Sequence, residues 1–321
     1  MSITIVVGGQ YGGEGKGKVT YNIAQERNIK ITVRIGGTNS GHTIVTDENN
    51  KFILRQLPTT AIIPHSISVL SAGSYIDLSI LKKEIELTGI SQKQLFIDQN
   101  AMIITQEDKD NELKNNLRES IGSTASGTGA SVIRRISRDK KNLLARDIEE
   151  LKPYIIDSKK FLYEQIQKKQ KILIEGTQGY GLSLLHSPHY PYCTSRDTTA
   201  AGFLAEIGLS PFDVEDIILT IRTYPIRVEG NSGELKNEIN WERLKLTPEF
   251  TSVTKKTRRI GEFDLEIVSR AIMSNRPTTI VLNHLDYIEE KDRKEFIQNI
   301  EKRINQKINY IGLDDKCIIK M

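Results

Sequence analysis

The sequence contains little cysteine and no long apolar run. Cys193 and Cys317 are its two cysteines in 321 residues, which excludes a disulfide framework. No apolar run approaches about 18 residues, so no segment is predicted to span a bilayer. The first residues also lack the basic region and apolar stretch of a signal peptide. These absences together predict a cytoplasmic protein with no membrane partner.

The charge balance is close to neutral. Lys and Arg number 45 against 41 Asp and Glu, a net charge of +4, and 38% of residues are hydrophobic, which is an ordinary globular composition. So small an excess favours basic patches for small anionic ligands. The basic run KKTRR at 255–259 lacks the interleaved aromatic residues of a single-strand binding platform. We therefore expect no nucleic-acid partner.

Short apolar stretches alternate with helical patterns along the chain. ITIVV at 3–7 and ITVRI at 31–35 read as strands that end in glycine-rich loops. This alternation predicts an α/β fold with a mainly parallel sheet and ligands bound past the carboxyl ends of its strands. No internal repeat or Pro/Ser-rich linker divides the chain, so we expect one domain over residues 1–321.

The first glycine-rich loop follows the first predicted strand and opens a predicted helix. Its backbone amides can converge on phosphate, and the helix dipole favours the same charge. Residues 12–18 fit the pattern G-x-x-x-x-G-K, but Val19 stands where a standard P-loop has the Ser or Thr that holds magnesium. A merely flexible turn is the alternative. The loop surrounds two lysines with six glycines: Gly8, Gly9, Gly12, Gly13, Gly15, Lys16, Gly17 and Lys18.

Three further segments carry candidate binding groups. Residues 36–43, GGTNSGHT, combine close-approach glycines with an amide and the imidazole of His42, which is either a catalytic group or an exposed loop residue. Small residues at 122–131 suit a mobile binding loop. The cations and hydroxyls at 252–258 suit two carboxylates, or form a solvated charge run. His186, His189 and Cys193 make an incomplete zinc set.

Seven segments, in this order, resemble the motifs of the adenylosuccinate synthetase family over nearly the whole chain. The resemblance implies a P-loop-NTPase-like fold with a large central sheet, and a homodimer. It also implies a ligase that joins L-aspartate to C6 of a purine nucleotide through a 6-phosphoryl intermediate, using Mg²⁺ and a nucleoside triphosphate. The segments are GGQYGGEGKGK, GGTNSGHT, GST at 122–124, IEGTQG, YPYCTSRDTTA, VTKKTRRIGEFD and NHLD.

The resemblance assigns site residues by motif. Lys16 would contact the transferring phosphate, His42 would act as the acid at the 6-oxygen, and Gln178 would contact the purine. The acceptor nucleotide would also meet Gly13, Asn39, Thr124, Thr194 and, across the dimer, Arg134 or Arg135. The triphosphate set is Gly12, Glu14, Gly15, Lys16, Gly17, Lys18, Gly41, His42, Thr43, Asn283 and Asp286. The aspartate set is Ser252, Val253, Thr254, Lys256 and Arg258, and the magnesium positions are Gly41 and Gly13.

One departure from the family pattern concerns the acceptor base. Members that act on inosinate carry G-D-E-G-K-G-K, whose aspartate removes the purine N1 proton and helps to hold magnesium, whereas this chain has Gly13 there. Loss of that carboxylate would make room for the 2-amino group of guanine. Bacteriophage members that make 2-aminoadenine nucleotides share the replacement. The resemblance to them implies dGMP as acceptor, with the N1 proton leaving to water or to a backbone carbonyl near Gly13.

Two more departures concern aspartate and the phosphoryl donor. Lys255 and Lys256 replace the usual Gly and Arg, and lysine lacks the bidentate fork of arginine, so aspartate binding is expected to be rearranged. NHLD at 283–286 replaces T-K-L-D, which favours ATP or dATP over GTP. The alternatives are an ordinary adenylosuccinate synthetase acting on IMP with GTP, and a non-catalytic nucleotide-binding regulatory protein.

Overall fold

The computed structural model describes residues 2–251 and 255–321, and in those ranges it has seventeen strands and nine α-helices. The strands are β1 (Ile3–Gly8), β2 (Ile31–Arg34), β3 (His42–Val45), β4 (Lys51–Leu54), β5 (Ile67–Leu70), β6 (Tyr75–Ile76), β7 (Leu95–Asp98), β8 (Met102–Ile103), β9 (Ile155–Ile156), β10 (Ile172–Glu175), β11 (Val214–Arg222), β12 (Ile226–Val228), β13 (Glu238–Ile239), β14 (Arg258–Gly261), β15 (Thr279–Asn283), β16 (Tyr310–Ile311) and β17 (Ile319–Lys320). The helices are α1 (Lys16–Glu26), α2 (Leu78–Thr88), α3 (Gln106–Lys114), α4 (Leu117–Ile121), α5 (Thr128–Ser137), α6 (Ser158–Gln167), α7 (Ala200–Ile207), α8 (Leu265–Asn275) and α9 (Glu290–Ile304).

A ten-stranded sheet forms the centre of the fold, in the order β17-β16-β15-β11-β1-β10-β2-β5-β7-β9. Its neighbouring strands pair in parallel, except that β16 and β17 are antiparallel. The predicted α/β class with a large, mainly parallel sheet is confirmed. None of the described helices is long and apolar enough to cross a membrane.

The side chains of β1 alternate between two apolar layers. Ile3, Ile5 and Val7 face a core that includes side chains of α7, α8 and α9. Val6 points the other way, into a cluster with Val19 and other residues of α1. Because helices cover both faces, β1, β2 and β10 are buried along their whole length and most of their residues are apolar.

The loops that follow five adjacent strands meet at one edge of the sheet. β15, β11, β1, β10 and β2 are neighbours and run parallel, so their carboxyl ends lie together. Polar or charged residues end four of them: Asn283, Arg222, Glu175 and Arg34. This edge carries the candidate site.

Candidate functional site

The glycine loop after β1 is organised around a buried ion pair. Lys16 Nζ lies 2.8 Å from Glu14 Oε2, and both side chains are buried. Glu14 Oε1 accepts the backbone N–H groups of Gln10 and Gly12, at 3.1 and 2.8 Å. Burial alone would raise the pKa of Glu14, but the Lys16 charge and these donors hold the pKa below its usual range. The lysine head is therefore fixed inside the loop from which α1 starts.

Three glycines give this loop a path that other residues rarely follow. Gly12, Gly13 and Gly15 have φ values of +92°, +72° and +82°. A Cβ at Gly15 would lie 2.8 Å from Asn283 Nδ2, which donates to the Glu14 carbonyl at 2.7 Å. The end of β15 is thus packed directly on the start of α1, as expected if the glycine loop and Asn283 bind the same triphosphate.

His42 is held in a buried charged cluster beside the glycine loop. Its Nδ1 makes a short contact with Glu175 Oε1, and Arg34 Nη1 lies 2.6 Å from Nδ1 and 3.0 Å from Glu175 Oε1. Thr59 donates its N–H and hydroxyl to Glu175 Oε2 at 2.7 and 2.9 Å. A Cβ on Gly17 would lie 2.9 Å from His42 Cβ, so this cluster packs against the first turn of α1. The ring is fixed rather than exposed in a loop.

Arg34 and Glu175 are functional candidates that the sequence reasoning missed. Each is the last residue of a buried strand, β2 and β10, and each is almost fully inaccessible to solvent. A charged residue ending a buried strand just before a glycine loop was the available signal. Burial lowers the pKa of His42 to about 4 and the Arg34 charge acts in the same direction, while the Glu175 carboxylate opposes them. His42 is therefore neutral at pH 7 in the absence of ligands.

The low pKa of His42 predicts a specific loss of stability in acid. The unfolded chain, with a pKa near 6.5 at this group, takes up the proton before the folded protein does, so stability falls as the pH drops from 6.5 towards 4. We expect this group to cost about 3 kcal/mol of unfolding free energy at pH 4. Urea unfolding at pH 7 and pH 4 measures it, with His42→Asn as the matched variant that does not titrate. An equal loss in both proteins would contradict the assignment.

The predicted acceptor-nucleotide residues are brought together at the same edge. Asn39 Nδ2 lies 3.3 Å from Thr194 Oγ1, and Ser40 and Thr177 share a hydrogen bond of 2.8 Å just before Gln178. Thr124 Oγ1 donates to a neighbouring hydroxyl in the loop that leads into α5. A Cβ on Gly37 would lie 2.5 Å from a threonine at the start of α5, so these loops are in close contact. Thr43 continues β3 beside His42.

The two arginines expected to reach a second subunit are bonded within their own chain. Arg134 pairs with Asp108 through Nε and Nη2, at 3.0 and 2.8 Å, and donates to Asn142. Arg135 donates to the Ala72 carbonyl at 2.8 Å and lies over the ring of Tyr75. A role for either across a dimer stays a prediction.

The predicted aspartate loop is described only in part, because Ser252, Val253 and Thr254 lie outside the described residues. On either side, residues 249–251 pair with 255–258, and we call this pairing the hairpin stem. Its backbone contacts include Arg258 N–H to the Glu249 carbonyl at 2.8 Å and Thr251 N–H to the Lys256 carbonyl at 2.9 Å. Lys256 is exposed, whereas Arg258 points inwards, its Nη1 3.9 Å from Glu249 Oε2. The stem thus holds Arg258, one of the cations assigned to aspartate binding, towards the edge of the sheet that carries the candidate site.

The surroundings of Gly13 bear on two of the expectations. Its carbonyl accepts a hydrogen bond from Arg222 Nη1 at 3.0 Å, so a magnesium ion or a proton received there would lie against a guanidinium. A Cβ on Gly13 would lie 2.3 Å from Arg258 Nη1 and 2.5 Å from Ile226 Cδ1. The two roles of Gly13, as a magnesium ligand and as a proton acceptor, stay predictions, and the space beside this residue is bounded by Arg258 and Ile226.

Magnesium would have few protein ligands here. Among the described residues no group of three His, Cys, Asp or Glu side chains could hold a metal ion. The positions assigned to magnesium are Gly41 and Gly13, and the Gly13 carbonyl already accepts a hydrogen bond from Arg222. Mg²⁺ commonly keeps several waters and binds substrate phosphates with one or two protein groups. The donor set fits magnesium brought by a triphosphate.

The triphosphate set extends from the glycine loop to the end of the chain. Lys18 Nζ donates to the Asp314 carbonyl at 2.6 Å, and its side chain is buried. His284 lies beside Tyr287, with ring centroids 5.1 Å apart, and Asp286 between them in sequence is exposed. The NHLD segment therefore lies between the glycine loop and the C-terminal segment.

This fold and site define a class of protein. A parallel α/β sheet carries at one edge a glycine loop with a buried lysine, a buried histidine and a hairpin stem with an inward-pointing arginine, as expected for a nucleotide-dependent enzyme that handles phosphate. The family profile described as "Adenylosuccinate synthetase" matches residues 5–145 and 140–299. The chain belongs to the adenylosuccinate synthetase family and is a ligase that forms a C–N bond.

Curated relatives and solved structures agree with this membership. Adenylosuccinate synthetase of Methanococcus aeolicus is 34% identical over 329 residues, covering 97% of this chain and 96% of the relative. That of Methanocaldococcus jannaschii is 35% identical over 320 residues, covering 94% and 91%. Succinoaminodeoxyadenylate synthetase of cyanophage S-2L, bound to dGMP and dATP, superimposes with a TM-score of 0.89 at 30% identity, covering 99% and 95%. Fully ligated adenylosuccinate synthetase of Plasmodium falciparum, at 20% identity and TM-score 0.89, covers 100% of both chains and shares the fold.

Proposed function

We propose that this protein joins L-aspartate to C6 of dGMP, giving N6-succino-2-amino-2′-deoxyadenylate, with ATP or dATP as phosphoryl donor and Mg²⁺. The observation that carries the proposal is Gly13, which leaves no carboxylate beside the acceptor base. The likeness to the cyanophage synthetase, whose structure holds dGMP and dATP, supports the same choice. The curated relatives carry the name of the ordinary synthetase, so IMP with GTP is the alternative.

The backbone at position 13 supports a reaction without a carboxylate there. With φ at +72° and two side chains within 2.5 Å of the Cβ position, an aspartate would require Arg258 and Ile226 to move. An acceptor-only carboxylate would take space next to N1 and C2 of the purine, whereas a glycine opposes neither a 2-amino group nor its hydrogens. The purine N1 proton then passes to water, because the positive charge of Arg222 lies against the Gly13 carbonyl and opposes a proton there.

The reaction is proposed to proceed in two steps. The 6-oxygen of the base attacks the γ-phosphorus, the N1 proton leaves, and the bond to the donor diphosphate breaks. Lys16 and the loop amides bind the transferring phosphate, while His42, protonated once the anionic substrates are bound, donates a hydrogen bond to the 6-oxygen. The aspartate amine then attacks C6 and inorganic phosphate leaves. Mg²⁺, when bound, neutralises charge on the phosphates, and Arg258 binds a carboxylate of aspartate.

A homodimer is part of the proposal. Helix α5 presents Ile133 and Ile136 to solvent, with 72% and 71% of their surfaces exposed. Two large apolar side chains one turn apart on a helix favour burial against a second surface. The helix also carries Arg134 and Arg135, the candidates for contact with a neighbouring subunit's nucleotide.

Phosphate release measured with L-aspartate and each acceptor tests the proposal. With ATP as donor, we expect kcat/KM for dGMP to exceed that for IMP at least tenfold, with GMP as the control for the 2′-hydroxyl. Repeating the assay with dATP and GTP tests the donor assignment. Turnover with IMP alone would make the protein an ordinary synthetase. Absence of turnover with every acceptor and donor would favour the non-catalytic nucleotide-binding protein.

A further inference from the structure

Arg222, the last residue of β11, lies between the glycine loop and the hairpin stem. Its side chain is fully buried. Its Nη1 donates to the Gly13 carbonyl at 3.0 Å and to Glu249 Oε2 at 3.3 Å, and its Nη2 makes a short bond to Glu249 Oε1. One guanidinium therefore joins the loop beside the acceptor base to the base of the stem.

The contacts on the loop side continue to the phosphate-binding lysine. The Gln10 side chain makes two hydrogen bonds with the Arg222 backbone: it accepts one from the N–H at 2.9 Å and donates one to the carbonyl at 3.1 Å. The Gln10 N–H in turn donates to Glu14, which pairs with Lys16. A shift of Arg222 would thus be transmitted to the whole first loop.

The contacts on the other side fix the stem. Glu249 accepts from the Tyr287 hydroxyl at 2.7 Å through its side chain, and from the Arg258 N–H at 2.8 Å through its backbone. Glu249 therefore determines where Arg258 lies. Because Arg222 Nη1 and Nη2 are already bonded to Glu249, those two nitrogens are not free to bind a substrate carboxylate, and the pair is better suited to hold other groups in place.

Buried ion pairs are a costly way to gain stability. Removing both charges from water offsets much of their mutual attraction, and apolar side chains of similar volume often stabilise a core equally well. A bidentate pair does, however, fix direction and distance, which an apolar contact does not. Its position between two substrate-binding segments matters because a misplacement of about 1 Å can cost about 100-fold in rate.

We propose that Arg222 and Glu249 are positioning residues that hold the hairpin stem against Gly13, so that the amine of bound aspartate is aligned with C6 of the acceptor base. This inference rests on the proposed function. The pair touches neither substrate and acts through Gly13 and Arg258. It links two segments, the first loop and the stem, that the sequence places more than 200 residues apart.

Four variants, of which three remove the ion pair, separate positioning from stability. Arg222→Met and Glu249→Gln each leave one buried partner without its counterpart and should unfold at lower urea, whereas the double variant should recover most of that loss. All three should raise KM for L-aspartate about tenfold or more, and should raise KM for the acceptor and the triphosphate by a smaller factor. Arg222→Lys keeps the charge but lacks the two parallel donors of the guanidinium. Its KM for L-aspartate should therefore lie between those of wild type and Arg222→Met.

The matched control is an ion pair at the opposite end of the same strand. Arg27 Nη1 lies 2.6 Å from Asp216 Oδ2, at the start of β11. The double variant Arg27→Met/Asp216→Asn should alter stability and leave every KM unchanged. If the Arg222→Met/Glu249→Gln protein folds like wild type and keeps the wild-type KM for aspartate, the pair is only structural and the proposal is overturned.

Amide hydrogen exchange without substrates separates this inference from the proposed function. Peptides covering residues 10–16 and 255–261 should exchange at least tenfold faster in the Arg222→Met/Glu249→Gln protein than in the Arg27→Met/Asp216→Asn control. Unchanged exchange in both segments would overturn the positioning role of Arg222 and Glu249, even if the wild type turns over dGMP. If exchange is faster but the wild type turns over no acceptor, the positioning role is supported and the proposed reaction is rejected.

Discussion

Replacing His42 by asparagine is expected to lower kcat by about 10²- to 10⁴-fold, the usual range for a lost acid or base. The asparagine amide can still donate to Glu175, which His42 Nδ1 contacts, but it cannot exchange a proton with the 6-oxygen or the phosphate. Because Asn39, Thr124, Thr194 and Gln178 are also assigned to the acceptor, KM for the acceptor should change by less than about fivefold. Steady-state kinetics with the acceptor that the wild type prefers measures both constants.

The control for this variant is the integrity of the fold. Urea unfolding at pH 7 should place His42→Asn within about 1 kcal/mol of wild type, since the amide conserves one buried hydrogen bond. If the variant folds and retains more than one fifth of the wild-type kcat, His42 does not take part in the chemical step. The histidine would then be a buried structural group shared by Arg34 and Glu175.

Replacing Gly13 by aspartate is expected to reduce kcat/KM for dGMP by about 100-fold, equivalent to about 2.7 kcal/mol. The new Cβ meets Arg258 Nη1 and Ile226 Cδ1 closer than atoms can approach, and the positive φ adds strain for any residue with a side chain. The carboxylate would also crowd the side of the base that carries the 2-amino group. Competition between dGMP and IMP in one assay shows whether the preference moves towards IMP.

Two matched variants separate the contributions of shape and charge to the expected loss of activity in Gly13→Asp. Gly13→Ala adds only the Cβ and should lose less activity with dGMP, whereas Gly13→Asn has the shape of aspartate without its charge. If shape decides, asparagine and aspartate behave alike; if the charge decides, only aspartate changes the ratio of dGMP to IMP. Wild-type dGMP kinetics in Gly13→Asp would contradict the assignment of dGMP through position 13.

Much of the fold and of the site could be predicted from local patterns. The apolar stretch 3–7 followed by glycines and a helical pattern gave β1, the loop and α1, and the seven ordered segments gave the family, which the comparisons confirm. For Gly13, local patterns could not indicate the tertiary contacts. Its carbonyl is bonded to Arg222 and its surroundings are occupied by Arg258 and Ile226, side chains that lie more than 200 residues away along the chain.

The sequence by itself determined the identity of the loops, because strand and helix periodicity, glycine conformations and motif order depend on neighbours along the chain. Only the tertiary structure decided which charges meet. Glu175 reaches His42 across 133 residues and Arg222 reaches Gly13 across 209, because parallel strands joined by crossovers bring the carboxyl ends of β2, β10, β1 and β11 to one edge. Strand order sets those pairings, and no local pattern encodes it.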